Sequence, residues 1–248
     1  MALIRADNII KSFGGDTVLG GVSLSVGAGE TVCLLGVSGA GKTTLFNVLA
    51  GLSEPDSGNV FINGENATGR PGRVSYMLQK DLLLPHKRVV DNVALPLVIK
   101  GTPKRAARER AAELFPLFGL AGTEYEYPCT LSGGMRQRAA LMRTYLASDG
   151  AVLLDEPFSA LDAITKSSMH EWFLGTAEKL GLTTLFITHD IDEAVVLSDR
   201  VCVLSGRPAV ISSEITITPP RGERDRDFSL TSDFLTLKRS LVFALGGL

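Results

Sequence analysis

An octapeptide near the start of the chain, Gly36-Val-Ser-Gly-Ala-Gly-Lys42-Thr43, narrows the possible folds more than any other stretch. It fits the pattern G-x-x-x-x-G-K-[ST] and stands between an apolar run, 31–35, and a helical stretch from about Lys42 to Ala50 that Gly51 closes. Strand, glycine-rich loop and helix in that order are the context the pattern requires. Glycines let backbone N–H groups curl around phosphate oxygens, and the helix N-terminus adds positive potential. Gly36, Ser38, Gly39, Ala40, Gly41, Lys42, Thr43 and Thr44 are therefore candidate nucleotide ligands. Lys42 is expected to reach the β- and γ-phosphates, and Thr43 to hold Mg2+.

Two further motifs carry chemistry. Ala151-Val-Leu-Leu-Asp155-Glu156 is an apolar strand ending in two acids. Asp155 at its end suits Mg2+, and Glu156 is placed to polarise an attacking water. Taken alone, two acids at a strand exit are a common solvated feature; beside a phosphate loop they become a catalytic pair. Leu131-Ser132-Gly133-Gly134-Met135-Arg136-Gln137-Arg138 opens a helix that continues to Ala147. Ser132 caps it, and Gly133 and Gly134 remove side chains where a phosphate could approach. Without the other motifs it would be an ordinary Ser-capped helix.

The rest of the chain alternates strands and helices. Residues 2–10, 22–35, 59–62 and 73–78 read as strands, with Asn63-Gly64 as a tight turn. A helical region follows from about 84 to 148. There Pro103 is a suitable first helical residue, and Ala107, Ala111, Leu114 and Phe118 recur at helical spacing. Strands at 151–154, 183–187 and 201–204 then alternate with helices at 163–180 and 191–197. This order implies an α/β fold with a mainly parallel sheet covered by helices. The 248 residues, 45% of them hydrophobic, suffice for one large domain or a domain with a subdomain. After a Pro-Pro break at 219–220 come the mixed-charge stretch RGERDRD and a last helix. Its stripe of Phe234, Leu237, Leu241 and Leu245 is suited to packing on the domain or a partner.

Composition excludes several functions. A formal charge of −2 offers no global basic field for nucleic acid. The run Lys104, Arg105, Arg108 and Arg110 is read as a solvated helix face. Cys33 and Cys202 sit in apolar runs and read as small buried hydrophobes; Cys129 is given no chemistry. No window approaches ~20 apolar residues, so no bilayer span is expected and transport would need a separate membrane partner. The opening MALIRADNIIKSF has no basic stretch before a long apolar core, so no secretory signal is expected.

The order phosphate loop, LSGG signature, LLLDEP resembles the nucleotide-binding subunits of ATP-binding-cassette proteins, from about residue 3 to 215. Smaller matches fall in register. Gln79 is like that family's Q-loop glutamine, 159–162 (SALD) like its D-loop, and His189 like its switch histidine. Phe13 sits where the family stacks an aromatic ring on adenine. The resemblance implies a RecA-like phosphate-loop core, 1–83 and 149–218, that includes an N-terminal antiparallel β part. It also implies an inserted helical subdomain, 84–148, and leaves 219–248 as a tail. It adds Gln79 to Thr43 and Asp155 as Mg2+ residues, with Lys42, Glu156 and His189 catalytic. It further implies that two such chains meet head to tail, so Ser132 and Gly134 complete the partner's ATP site.

The stretches 76–85 (YMLQKDLLLP), 90–96 (VDNVALP) and THDIDEAVVLSDRVCVLSGRP resemble the nitrate, sulfonate and taurine importer branch, which also includes carriers of thiamine precursors. That implies integral permease subunits, indirect dependence on a solute-binding protein, and a place on the cytoplasmic face of the inner membrane. An ATPase that moves no solute, regulatory or cofactor-assembling, is the alternative. Many relatives carry Trp after Pro85, where this chain has His86-Lys87-Arg88. That basic triplet is read either as a permease or lipid-headgroup contact or as a solvated loop. Met135 stands where Gln is commoner.

Overall fold

The structure, a computed structural model, describes residues 2–224 and 227–246. Asp225 and Arg226 of the mixed-charge stretch lie outside the described residues. The elements are β1 (Ala2–Phe13), β2 (Asp16–Gly27), β3 (Thr31–Leu35), α1 (Lys42–Leu49), β4 (Ser57–Ile62), β5 (Glu65–Asn66) and β6 (Ser75–Met77). Then follow α2 (Val89–Ile99), α3 (Lys104–Ala112), α4 (Gly133–Ala147), β7 (Ala151–Asp155), α5 (Ala163–Leu180) and β8 (Thr183–Thr188). The chain continues with α6 (Ile191–Leu197), β9 (Arg200–Gly206), β10 (Ala209–Thr216) and α7 (Ser232–Ala244).

Among the described residues the strands form one sheet, in the order β5-β4-β1-β2-β10-β9-β3-β8-β7-β6. Its two halves differ. From β9 through β3, β8 and β7 to β6 all neighbours are parallel. β1 pairs antiparallel with β2 and β4, and β9 with β10. The parallel half is covered on both faces, which is why β3, β7 and β8 are buried throughout their length. Period-two alternation splits β3 cleanly. Val32 and Leu34 face a core shared with Phe46 and Leu49 of α1 and with β1, β2 and β4. Cys33 and Leu35 face the opposite core, built with α2 to α7. Cys33 and Cys202 are buried as small hydrophobes, and Cys129 is exposed.

Three sequence expectations shift. The apolar stretch 22–35 is two strands, because the turn 28–30 reverses the chain between β2 and β3. Pro103, extended at ψ 137°, caps α3 from outside, so the helix opens at Lys104. The helical repeat then stops at Ala112, and Leu114 and Phe118 belong to turns closed by short bonds such as Leu114 N–H to Ala111 C=O. Pro116 disfavours helical backbone at the residue before it and donates no hydrogen bond, so the helix cannot run on. Of the basic run, Lys104, Arg105 and Arg110 are exposed. Arg108 turns inward to chelate Asp91 with two bonds of 2.8 Å. Of the tail stripe, Phe234 and Leu241 are buried, and Leu237 and Leu245 pack partly against them.

Candidate nucleotide site

The parallel strands β3, β7 and β8 end side by side, and their C-terminal loops converge on one cavity of about 580 Å3. In open parallel sheets, ligands bind outside the carboxyl ends of the strands. Ser38, Gly39, Gly41, Lys42, Thr43, Thr44, Gln79, Asp155, Glu156 and His189 line it, with Val18 and Ile187. Ten predicted residues from four separate segments thus meet at one place.

The phosphate loop is shaped before any ligand arrives. Gly39 and Gly41 hold φ of 79° and 90°, left-handed values that side chains resist. Gly36 lies under β9, where a Cβ would come 2.7 Å from the Leu204 carbonyl oxygen. Ala40 is buried beside that contact and lines a small neighbouring cavity. Lys42 is buried, and its ammonium donates to the carbonyls of Gly36 (2.7 Å) and Val37 (2.8 Å). Burial pushes it below the usual lysine range, against the pull of the Glu156 and Asp155 carboxylates. An ammonium has three donors, so one remains for a ligand.

Opposite the loop stands a hydrogen-bonded group around Glu156. Its carboxylate accepts from Gln79 Nε2 at 3.0 Å and lies 3.0 Å from His189 Nδ1. Its backbone N–H is tied to the Ile187 carbonyl at the end of β8. Glu156 itself holds φ 45°, a strained value for a residue with a side chain, costing ~1–3 kcal/mol and typical of functional sites. Asp155, one residue earlier on β7, is buried and accepts from the Tyr76 hydroxyl at 3.2 Å. Burial pushes the Asp155 carboxyl up and the Glu156 charge adds to this, while the Tyr76 hydrogen bond works against it. Burial and the Asp155 charge together push the Tyr76 phenol up, so it stays a donor.

Three more predicted residues lie away from both the phosphate loop and the Glu156 group. Ser132 caps α4, its Oγ accepting from Met135 N–H at 3.3 Å, and Gly134 is the buried second residue of that helix. Neither is among the described residues lining the cavity. Phe13 sits exposed at the end of β1 under the Lys11 ammonium, also outside the lining, whereas Val18 of β2 is inside it. Tyr76 and Val18 were given no role at the sequence level. Only the tertiary fold places them: β6 pairs beside β7, and Val18 of β2 packs over Gly41 of the loop. Gln137 was likewise missed: it is buried in α4 and donates to the Pro157 carbonyl at 2.7 Å, tying the signature helix to the Glu156 loop. Asn92, fully buried, accepts from Leu84 N–H and donates to the carbonyls of Leu84, Lys87 and Arg88. It thereby shapes the His86-Lys87-Arg88 loop.

Such a strand–loop–helix cradle beside paired acids on the next strand but one defines a phosphate-loop nucleotide-binding cassette. The family described as ABC transporter matches residues 19–159. The chain is 45% identical to the formylaminopyrimidine import ATP-binding protein ThiZ of Halalkalibacterium halodurans, over 80% of this chain and 77% of that one. It is 37% identical to the taurine import ATP-binding protein TauB of Chromobacterium violaceum, over 98% and 95%. A match to the sulfate/thiosulfate import ATP-binding protein CysA 2 of Rhizobium meliloti (42% identical) covers 82% of this chain but only 57% of that longer protein. A dimeric ATP-binding cassette solved in a post-hydrolysis state with ADP and Pi superposes with a TM-score of 0.73 at 27% identity, covering 88% of this chain and all of the other. The chain belongs to the ABC transporter family and is one of its ATP-binding, ATP-hydrolysing cassettes.

Proposed function

We propose that this cassette powers a multi-subunit importer of a small solute by hydrolysing ATP at the 580 Å3 cavity. The named relatives serve formylaminopyrimidine, taurine and sulfate or thiosulfate import. A nitrate-, sulfonate-, taurine- or thiamine-precursor-like solute is the class this chain fits. Among the described residues no helix is long and apolar enough to cross a membrane. The solute path then belongs to integral permease subunits, fed by a solute-binding protein, with this chain peripheral on the cytoplasmic face of the inner membrane. The helical subdomain, 84–148, faces the permease and moves with nucleotide state through Gln79.

The observation that carries the reading is Glu156, held between Gln79 and His189 across the cavity from the loop of Lys42. The backbone N–H groups of 36–44 and the Lys42 ammonium bind the β- and γ-phosphates of ATP. Glu156 orients a water and takes its proton, and His189 steadies the departing γ-phosphate. Phe13 stacks on the adenine. Thr43, Gln79 and Asp155 supply a hydroxyl, an amide oxygen and a carboxylate, the hard oxygen donors that fit Mg2+ shared with substrate phosphates. When bound there, Mg2+ neutralises charge developing on the phosphates. Ser132 and Gly134, outside their own cavity, complete the site of a second copy bound head to tail.

The test is Glu156→Gln. We expect nucleotide affinity in a fluorescent titration to stay near wild type while ATP turnover in the assembled transporter falls by ~10²–10⁴-fold. On size-exclusion chromatography with MgATP the variant should accumulate as a dimer, and adding Ser132→Arg should abolish that dimer. Normal turnover in the variant would remove Glu156 from the chemistry.

A further inference from the structure

Tyr76 touches three parts of the site at once. It lies on β6, paired beside Leu153 of β7, three residues before Gln79. Its ring meets Phe46 edge to face, centroids 5.7 Å apart at 76°. Phe46 is fully buried on α1, one turn after Lys42. The Tyr76 hydroxyl donates to Asp155 Oδ2 at 3.2 Å.

We infer that Tyr76 is a positioning residue that sets the Asp155 carboxylate for the cation accompanying ATP. The inference rests on the assignment of Asp155 as a cation residue. Asp155 is 8% exposed, so water cannot replace a lost partner cheaply. The phenol engages Oδ2, so the carboxylate that would hold the cation is fixed in orientation. With its ring wedged on Phe46, the phenol has little freedom to follow a wandering carboxylate. The carboxylate is thereby referenced to α1, the helix that carries Lys42 and Thr43, and not only to its own strand. An outer partner of this kind governs cation affinity without touching nucleotide.

Tyr76→Phe keeps the ring and removes only the hydroxyl. Binding of a fluorescent non-hydrolysable ATP analogue would be titrated against Mg2+, and separately measured in EDTA. The half-saturating Mg2+ concentration should rise by roughly 10–100-fold in Tyr76→Phe, with affinity in EDTA unchanged. An unchanged Mg2+ dependence would overturn the inference. So would an equal loss of affinity in EDTA, which would make Tyr76 a packing support of the phosphate loop. Asp155→Asn serves as the control. If it shifts the Mg2+ dependence and Tyr76→Phe does not, only the role of Tyr76 falls. If neither shifts it, the assignment of Asp155 falls and takes this inference with it.

Discussion

Gly41 shows how one residue's backbone can decide whether a site exists. At φ 90° it turns the loop into α1, and a Cβ there would stand 3.1 Å from both Leu19 Cδ2 and Val18 Cγ1 of β2. A side chain would be strained twice, by the left-handed backbone and by that contact. Gly41→Ala should therefore weaken nucleotide binding by at least about tenfold while costing only ~1–3 kcal/mol of stability. Isothermal titration with an ATP analogue, read beside urea unfolding, separates the two. Wild-type affinity in the variant would mean that the loop tolerates another path. The need for glycine here was legible in the sequence, because the pattern demands it. The neighbours that enforce it, Leu19 and Val18, were not, because they come from a strand whose place is set by long-range pairing.

At the scale of elements, α5 and α6 are joined by a buried charge cluster beside His189. Glu193, 2% exposed, lies 2.8 Å from the Lys166 ammonium and accepts from Thr188 Oγ1 at 2.6 Å. His170 Nε2 is 3.7 Å away. Asp190 caps α6 and also takes Lys166, at 3.1 Å. His189 thus sits between two residues, Thr188 and Asp190, that are anchored to this cluster. Burial alone would push the Glu193 carboxyl up, but His170, Lys166 and Thr188 outweigh it and hold it at about 2, below its ordinary 4.5. A depressed folded value stabilises the protein above the unfolded pKa, and that stability is lost as pH falls towards 2. The difference corresponds to on the order of 3 kcal/mol. Urea unfolding between pH 7 and 3 should show the larger part of this loss, and Glu193→Gln should flatten the acid limb of the profile. An unchanged limb would show that the cluster contributes no net pH-dependent stability. The helices themselves were readable from periodicity. The cluster was not, since Lys166 and Glu193 are 27 positions apart and meet only once α5 and α6 pack against each other.

For the whole molecule, the tail is part of the core. The Arg224 guanidinium donates to the carbonyls of Val195, Val196 and Ser198 at the end of α6, and to those of Ile217 and Pro219. Arg221 reaches Asp199, Thr31 and Gly29. Phe228, Phe234 and Leu241 then join the same core as α6, and Lys238 pairs with Asp192 at 2.6 Å. Arg224→Ala leaves buried carbonyls without donors and should destabilise the protein by about 2–4 kcal/mol, seen as a lower midpoint in urea. Nucleotide affinity of the remaining folded protein should stay the same, because Arg224 does not line the cavity. A wild-type midpoint would mean that the tail is held by its apolar contacts alone.

Sequence by itself determined the chemistry and the class of fold. A phosphate loop, a signature and a strand with two terminal acids are local patterns, each dictated by backbone geometry or side-chain type within a few residues. The alternation of strands and helices likewise comes from short-range periodicity. Only the tertiary structure decided what those residues are held by. Tyr76 on Asp155, Gln79 and His189 on Glu156, Gln137 on Pro157 and Arg224 on α6 are all pairings between residues far apart in the sequence. The physical reason is that hydrogen bonding and burial act through space. The strand order β3-β8-β7-β6, which brings Tyr76 to Asp155 and Gln79 and His189 to Glu156, follows from the lowest free energy of the whole chain and not from any single window of it.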